Sequence, residues 1–279
     1  MTKSILAKQE DGTVQFTITI PKEEIKKTYE EVMVSLVEQA EIPGFRKGKA
    51  PRSTVEEKTD KSKIYELVIE KIVPKAYLEA VQEHKITPII NPKVELLKAK
   101  EDEDWEIRIT TCESPQVELG DYKEKIKGVL AASKIITNAP PITEEERTQK
   151  AIDALIETVK VNIPEIILED EINHSLAGLI NQTNSLGMTV EQYLGSIGKT
   201  GDQIRTEYRE KIIKDLTIQL ALNEVSKTEK LEISEKEVED FINALGDQKT
   251  KDDFSKPEQK LYLRNILLRR KALEFISHL

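Results

Sequence analysis

Ten consecutive residues stand out for the chemistry they could do. From Pro43 to Arg52 the chain reads Pro-Gly-Phe-Arg-Lys-Gly-Lys-Ala-Pro-Arg, with four basic side chains, no acidic one, two glycines and two prolines. Arg and Lys contact phosphates or carboxylates, and a Phe beside them can fill a small pocket or stack on a base. Set between two amphipathic helical patterns, the run reads as an exposed loop tip arranged for docking. The competing reading is a solvated charged turn whose Phe45 folds back onto its own helices, because charge-rich loops are common.

Nothing else in the sequence assembles a reaction centre. His84, His174 and His278 are the only histidines. Glu171-x-x-His174 has a spacing used in di-iron bundles, but such sites need a second copy and further carboxylates. A helix histidine with no metal is the plainer reading. Gly198-Lys199-Thr200 resembles the end of a phosphate-binding loop. The glycine such a loop requires at residue 193 is Tyr193 instead, and no strand precedes it, so a turn and a helix start explain it. Acidic runs at Glu101 to Glu106 and Glu144 to Glu146 read as solvated faces or helix N-termini. Arg264, Arg269, Arg270 and Lys271 read as the outer face of the final helix. No catalytic residue, metal ligand or cofactor is expected.

Composition narrows the classes. The 279 residues carry 51 acidic and 42 basic side chains, a net charge of -9, which argues against a general nucleic-acid coat. It leaves room for one local basic patch. Only 38% of residues are hydrophobic and 5% aromatic, so a thin or multi-part body is expected rather than one large dry core. Cys112 is the only cysteine, which rules out an intrachain disulfide or a thiolate zinc cage and suits a reducing cytosol. No secretory apolar core follows Met1, and no run approaches the ~18 apolar residues of a membrane span. The expectation is a soluble, cytoplasmic protein with no membrane partner.

The elements that must position the loop follow from periodicity. Val14, Phe16, Ile18 and Ile20 alternate with polar residues, as do Trp105, Ile107 and Ile109, which predicts half-buried strands. Val94 and Leu96 mark a third strand, and Ser4 to Gln9 a short fourth. Between them, Ile25, Tyr29, Val32, Met33, Leu36, Val37 and Ala40 recur at helical spacing until Pro43-Gly44 stops the helix. A second helix spans about Lys61 to Glu83, with Pro74 expected to bend or split it. This order predicts an α+β N-terminal domain: an antiparallel sheet with two helices and an exposed loop between them. From Thr143 onward only helices are expected, with capping-box patterns at Thr143-Glu146 and Ser234-Glu237. Glu118 to Pro141, holding Gly120, Gly128 and Pro140-Pro141, is the linker candidate.

Gly44-Phe45-Arg46-x-Gly48-x-x-Pro51 resembles the signature of the ribosome-binding domain of the bacterial trigger factor family. Pro115-Gln116-Val117-Glu118-Leu119 is similar to that domain's exit. Val161 to Ile172, Leu222-Asn223-Glu224-Val225 and Leu231 to Val238 resemble the family's helical chaperone domain. The resemblance implies a ribosome-binding domain over 1–117 and an all-α, SurA-like chaperone domain with arms over 143–279, in an elongated architecture. Between them the family usually carries an FKBP-type prolyl isomerase domain of roughly 100 residues. Here 24 residues separate Leu119 from Glu144, so a linker over 118–142 is expected in its place, with no isomerase activity.

The implied function is ATP-independent chaperoning beside the polypeptide exit tunnel of the large ribosomal subunit. Phe45, Arg46 and Lys47 would carry the docking to ribosomal protein and rRNA, flanked by Gly44, Gly48, Lys49 and Pro51. Nascent or unfolded polypeptides would be the clients, and a weak homodimer would form off the ribosome. A residual prolyl isomerase or foldase activity, or an RNA-binding module built on the 44–52 loop, are the alternatives.

Overall fold

The computed structural model describes residues 3–134 and 142–279. The chain divides into two compact units, Met1–Ser114 and Pro115–Leu279.

The first unit is built on strands β1 (Lys3–Lys8) and β2 (Thr13–Ile20), helices α1 (Lys22–Gln39), α2 (Arg52–Lys58) and α3 (Lys61–His84), and strands β3 (Lys93–Lys98) and β4 (Trp105–Cys112). The strands form one antiparallel sheet in the order β1-β2-β4-β3. Register puts Phe16 opposite Ile109, Ile18 opposite Ile107 and Ile20 opposite Trp105. The apolar rows of the two central strands therefore share one face, and all six side chains are buried. Ile25, Val32 and Met33 of α1 and Ile64, Val68, Ile72 and Ala76 of α3 close over that face. Each large side chain so buried stabilises the unit by about 1.5–3 kcal/mol.

Two expectations need correction here. Of the bend or split expected at Pro74, the split does not occur: α3 runs through it for 24 residues. Pro74 lies on the exposed side, where the carbonyl of Glu70, deprived of an amide partner, can turn to water. Ile72, Val73 and Ala76 hold the other side in the core. The unit also has three helices, not two. Helix α2 has seven residues and buries only Val55, too little for a periodic signal.

The second unit contains β5 (Val117–Glu118), α4 (Tyr122–Lys134), α5 (Glu144–Thr158), β6 (Lys160–Val161), α6 (Glu165–Ser185), α7 (Val190–Ile197), α8 (Gly201–Thr228), α9 (Glu235–Ala244), α10 (Gln248–Phe254) and α11 (Pro257–Ser277). It is mostly helical but not all-α, because Val117 and Glu118 pair antiparallel with Val161 and Lys160. Gly120 makes the turn after β5 with φ +58°, where a Cβ would lie 2.9 Å from the carbonyl oxygen of Thr158.

Within the expected linker over 118–142, Tyr122–Lys134 form helix α4. Tyr122, Ile126 and Leu130 of α4 join Leu155 of α5, Leu222 and Val225 of α8 and Ile276 of α11 in one core. Gly128 sits inside α4 and did not break it, since the i, i+4 apolar row supplies the packing. The pair Pro140-Pro141 lies outside the described residues. A second core joins Val238 and Ile242 of α9 to Leu263 of α11. Among the described residues, four helices begin with capping boxes, at Thr143, Thr189, Thr200 and Ser234. Gly198-Lys199-Thr200 is a left-handed helix end followed by the start of α8.

Candidate functional site

The loop between α1 and α2 is two turns anchored on a small core of its own. In the first turn Pro43 and Gly44 occupy the central positions, and the Phe45 amide donates to the Ile42 carbonyl at 3.0 Å. Gly44 has φ +93°, the left-handed conformation that the third position of a Pro-Gly turn requires. In the second turn the Lys49 amide donates to the Arg46 carbonyl at 2.9 Å, with Gly48 at φ +71°. The Gly48 amide also donates to the Ala40 carbonyl at 3.1 Å, tying the loop back to the end of α1. A Cβ on Gly48 would lie 2.7 Å from the Glu38 carbonyl oxygen, closer than real contacts allow. Beneath the turns, Ile42, Ala50 and Val55 are buried against Leu36, Val37 and Ala40. Pro51 then caps α2, whose first residue is Arg52.

The anchoring is done by Ile42 and Ala50, so Phe45 is not drawn inward. It is 45% exposed, and it is absent from every buried cluster. The reading in which Phe45 folds back onto its own helices is not what is seen. The turn's backbone bonds brace Phe45 at its Cα while its ring stays half exposed.

The four cations divide into two pairs. Arg52 reaches back to Glu30 with two hydrogen bonds, one at 2.8 Å, and lies 3.9 Å from Glu56. That mutual bond holds the Glu30 carboxyl below its ordinary range and raises the Arg52 guanidinium. Lys47 lies 3.0 Å from Glu41. Arg46 and Lys49 are exposed and make no ion pair among the described residues. Gly44, Phe45, Arg46, Lys47, Gly48, Lys49 and Pro51 thus share one loop, with Arg46 and Lys49 as its uncommitted charges. Glu30, Glu41 and the buried Ile42, Ala50 and Val55 escaped the sequence reading. Distance in the chain hid Glu30, 22 residues before Arg52, and the shortness of α2 hid Val55.

Elsewhere the chemistry is sparse. Among the described residues no three His, Cys, Asp or Glu side chains come together to hold a metal ion. His174 is exposed on α6, His84 shares a 2.9 Å contact with Ser4, and His278 lies 3.4 Å from Glu144. Cys112 is buried, and burial pushes its thiol up to about 11, which keeps it unreactive. Arg264, Arg269 and Lys271 are spent on Glu235, Gln219 and Glu237. Among the described residues no helix is long and apolar enough to cross a membrane.

The second unit also exposes apolar side chains. Ile180, Leu186, Ile197 and Ile213 are exposed along α6 to α8, and Leu261 and Tyr262 on α11. A groove of about 550 Å³ runs between α6 and α8, lined by Leu179, Tyr208, Ile212 and Leu216 among polar residues. Arg205–Glu169 at 2.6 Å and Arg209–Glu165 brace the two helices that form it. A second groove of about 350 Å³ lies between α9 and α11, beside Val238 and Leu261.

Residues 1–146 match the family model described as bacterial trigger factor protein, and residues 121–278 match that of the bacterial trigger factor C-terminus. The trigger factor of Staphylococcus epidermidis is 27% identical over 96% of this chain and 64% of its own length. That of Macrococcus caseolyticus is 28% identical over 91% of this chain and 64% of its own length. The chain therefore spans just under two thirds of these relatives. A solved structure described for promiscuous substrate recognition in the folding and assembly activities of the trigger factor chaperone superposes with a TM-score of 0.70. That match covers 99% of both chains at 14% identity, a likeness of fold.

Proposed function

This chain belongs to the bacterial trigger factor family of chaperones, and from that premise we propose that it docks beside the exit tunnel of the large ribosomal subunit and shields apolar segments of nascent chains. The single observation that carries the docking is the braced loop that leaves Phe45 half exposed beside two unpaired cations, Arg46 and Lys49. The cations steer the loop toward rRNA phosphates and acidic protein groups, and Phe45 fills an apolar site on the partner. Gly44 and Gly48 set the backbone so that both can be presented on one side of a tight loop. Lys47, through Glu41, and Pro51, at the start of α2, hold its flanks.

The holding function falls to the second unit, read as a SurA-like chaperone module. Exposed Ile180, Leu186, Ile197 and Leu261, dispersed among charged residues, suit weak and rapidly exchanging contacts with many sequences. Holding of this kind needs no nucleotide, no metal and no covalent step, and the site of action is the cytoplasm. The 24 residues between Leu119 and Glu144 leave no space for an isomerase domain, so the protein acts as a holdase. Off the ribosome a weak homodimer covers part of the apolar surface.

Two measurements test this reading. Binding to bacterial large subunits should weaken roughly tenfold between about 50 and about 200 mM salt, as expected for about two phosphate-type contacts. Salt-independent binding would contradict the role given to Arg46 and Lys49. In the second, the protein should delay aggregation of an unfolded client without ATP. Tight binding to naked RNA with no preference for the subunit would favour an RNA-binding module instead.

A further inference from the structure

Strand β3 is the outer strand of the first unit's sheet, bonded to β4 on one side only. All six of its residues are exposed. Val94 stands opposite Ile109 and Leu96 opposite Ile107, so both point to the face that α1 and α3 cover. Yet Val94 is 44% and Leu96 45% exposed, whereas Ile107 and Ile109 are each 1% exposed. The apolar surface of the core therefore continues one strand beyond its helical cover, next to a row of unpaired backbone donors and acceptors.

The strand's charges say what can lie there. Glu95 is 3.4 Å from Arg108, and Lys98 is 2.7 Å from Glu103. Lys93 makes no ion pair among the described residues and is the strand's uncommitted charge. A second copy of β3 fits poorly. Two-fold pairing of identical strands is antiparallel, and each register that keeps the apolar face in line carries a fault. Val94 against Leu96 sets Glu95 against its own copy. Val94 against Val94 sets Leu96 against Pro92, which has no amide to donate. Leu96 against Leu96 sets Val94 against Lys98. Like charges placed directly opposite destabilise a pair, and proline breaks the ladder.

We infer that β3 is a strand-addition site for an extended segment of an unfolded polypeptide, one that alternates apolar residues and carries an acidic residue opposite Lys93. Main-chain hydrogen bonds supply sequence-tolerant affinity, and Val94 and Leu96 supply the apolar rows. The extra residue at Leu97, where the register to β4 shifts, limits the added strand to the stretch before it. The inference rests on the chaperone reading and gives the first unit a share in client binding.

The test uses the full chain and a reduced, carboxymethylated polypeptide, permanently unfolded and acidic. Amide hydrogen exchange is followed with and without it, alongside the affinity of a Val94→Thr/Leu96→Thr variant. The inference predicts slowed exchange in β3 on binding, and roughly tenfold weaker affinity for the variant from the loss of two apolar contacts. A probe that binds and protects only the second unit overturns the inference and leaves the chaperone reading intact. A probe that does not bind at all overturns both. Protection of β3 that appears without probe and grows with protein concentration overturns it in favour of self-association. Because the exchange experiment uses the unaltered protein, a variant that fails to fold still leaves a decisive readout.

Discussion

At Gly48 the loop's conformation depends on the absence of one carbon atom. The residue combines φ +71° with a backbone oxygen where a Cβ would sit, whereas Gly44, at φ +93°, has open space around it. Gly48→Ala should therefore destabilise the first unit by about 2 kcal/mol and Gly44→Ala by about 1 kcal/mol. Trp105, the only tryptophan, reports urea unfolding of that unit in both cases. Equal losses would show that the close approach to Glu38 is not limiting. The motif itself was legible in sequence, because four cations with no acid around a Phe need no fold to be recognised. The division of labour among those cations was not. Arg52 is committed to Glu30, 22 residues earlier, and Lys47 to Glu41, and only the turn geometry decides which charges remain free. Accordingly, Arg46→Ala should weaken large-subunit pelleting more than Lys47→Ala.

Among the elements, length decided what could be read. Strands β2 and β4 and helices α1 and α3 carry long apolar rows, and their periodicity placed each of them. Helices α2, α7 and α10 have seven or eight residues, and α7 and α10 bury none. Such elements are fixed by caps and neighbours, which a one-dimensional pattern does not contain. Helix α4 was hidden for another reason: Gly120, Gly128 and the two prolines are the punctuation of a linker, while its partners lie on α5, α8 and α11. Helix α2 matters for the site because Val55 supports the loop from below. Val55→Ala should cost about 2 kcal/mol in Trp105-monitored unfolding and lower subunit pelleting without touching a contact residue. The start of α9 makes a pH prediction. The backbone N–H and hydroxyl of Ser234, and then Lys271, hold the Glu237 carboxyl at about 2, below its ordinary 4.5. A carboxyl depressed on folding stabilises above its ordinary value, and that stability is lost as pH falls from 4.5 toward about 2. Glu237→Gln should flatten this part of the profile when urea midpoints are compared at pH about 6 and about 3. An unchanged slope would mean the capping box does not carry it.

For the whole molecule, net charge and apolar content take on a different meaning once they are mapped. The chain is acidic overall, yet residues 44–52 carry four cations and no acid. The modest apolar fraction serves two separate units, each with its own core, rather than one. Family membership was legible from the loop motif together with the helical half, and the matched models cover both. What sequence left open was which apolar residues build those cores and which stay at the surface. Leu179 is buried and Ile180 exposed, at adjacent positions of α6. With no isomerase domain between the units, a proline-containing peptide should isomerise at its uncatalysed rate in the protein's presence. Turnover that survives repurification would contradict that assignment. The central claim, that the loop docks the protein on the ribosome, is tested most directly by co-sedimentation with bacterial large subunits. Wild type should pellet at low salt and the Phe45→Ala/Arg46→Ala/Lys47→Ala variant, folded by its Trp105 unfolding curve, should stay in the supernatant; equal pelleting of the two would contradict the account.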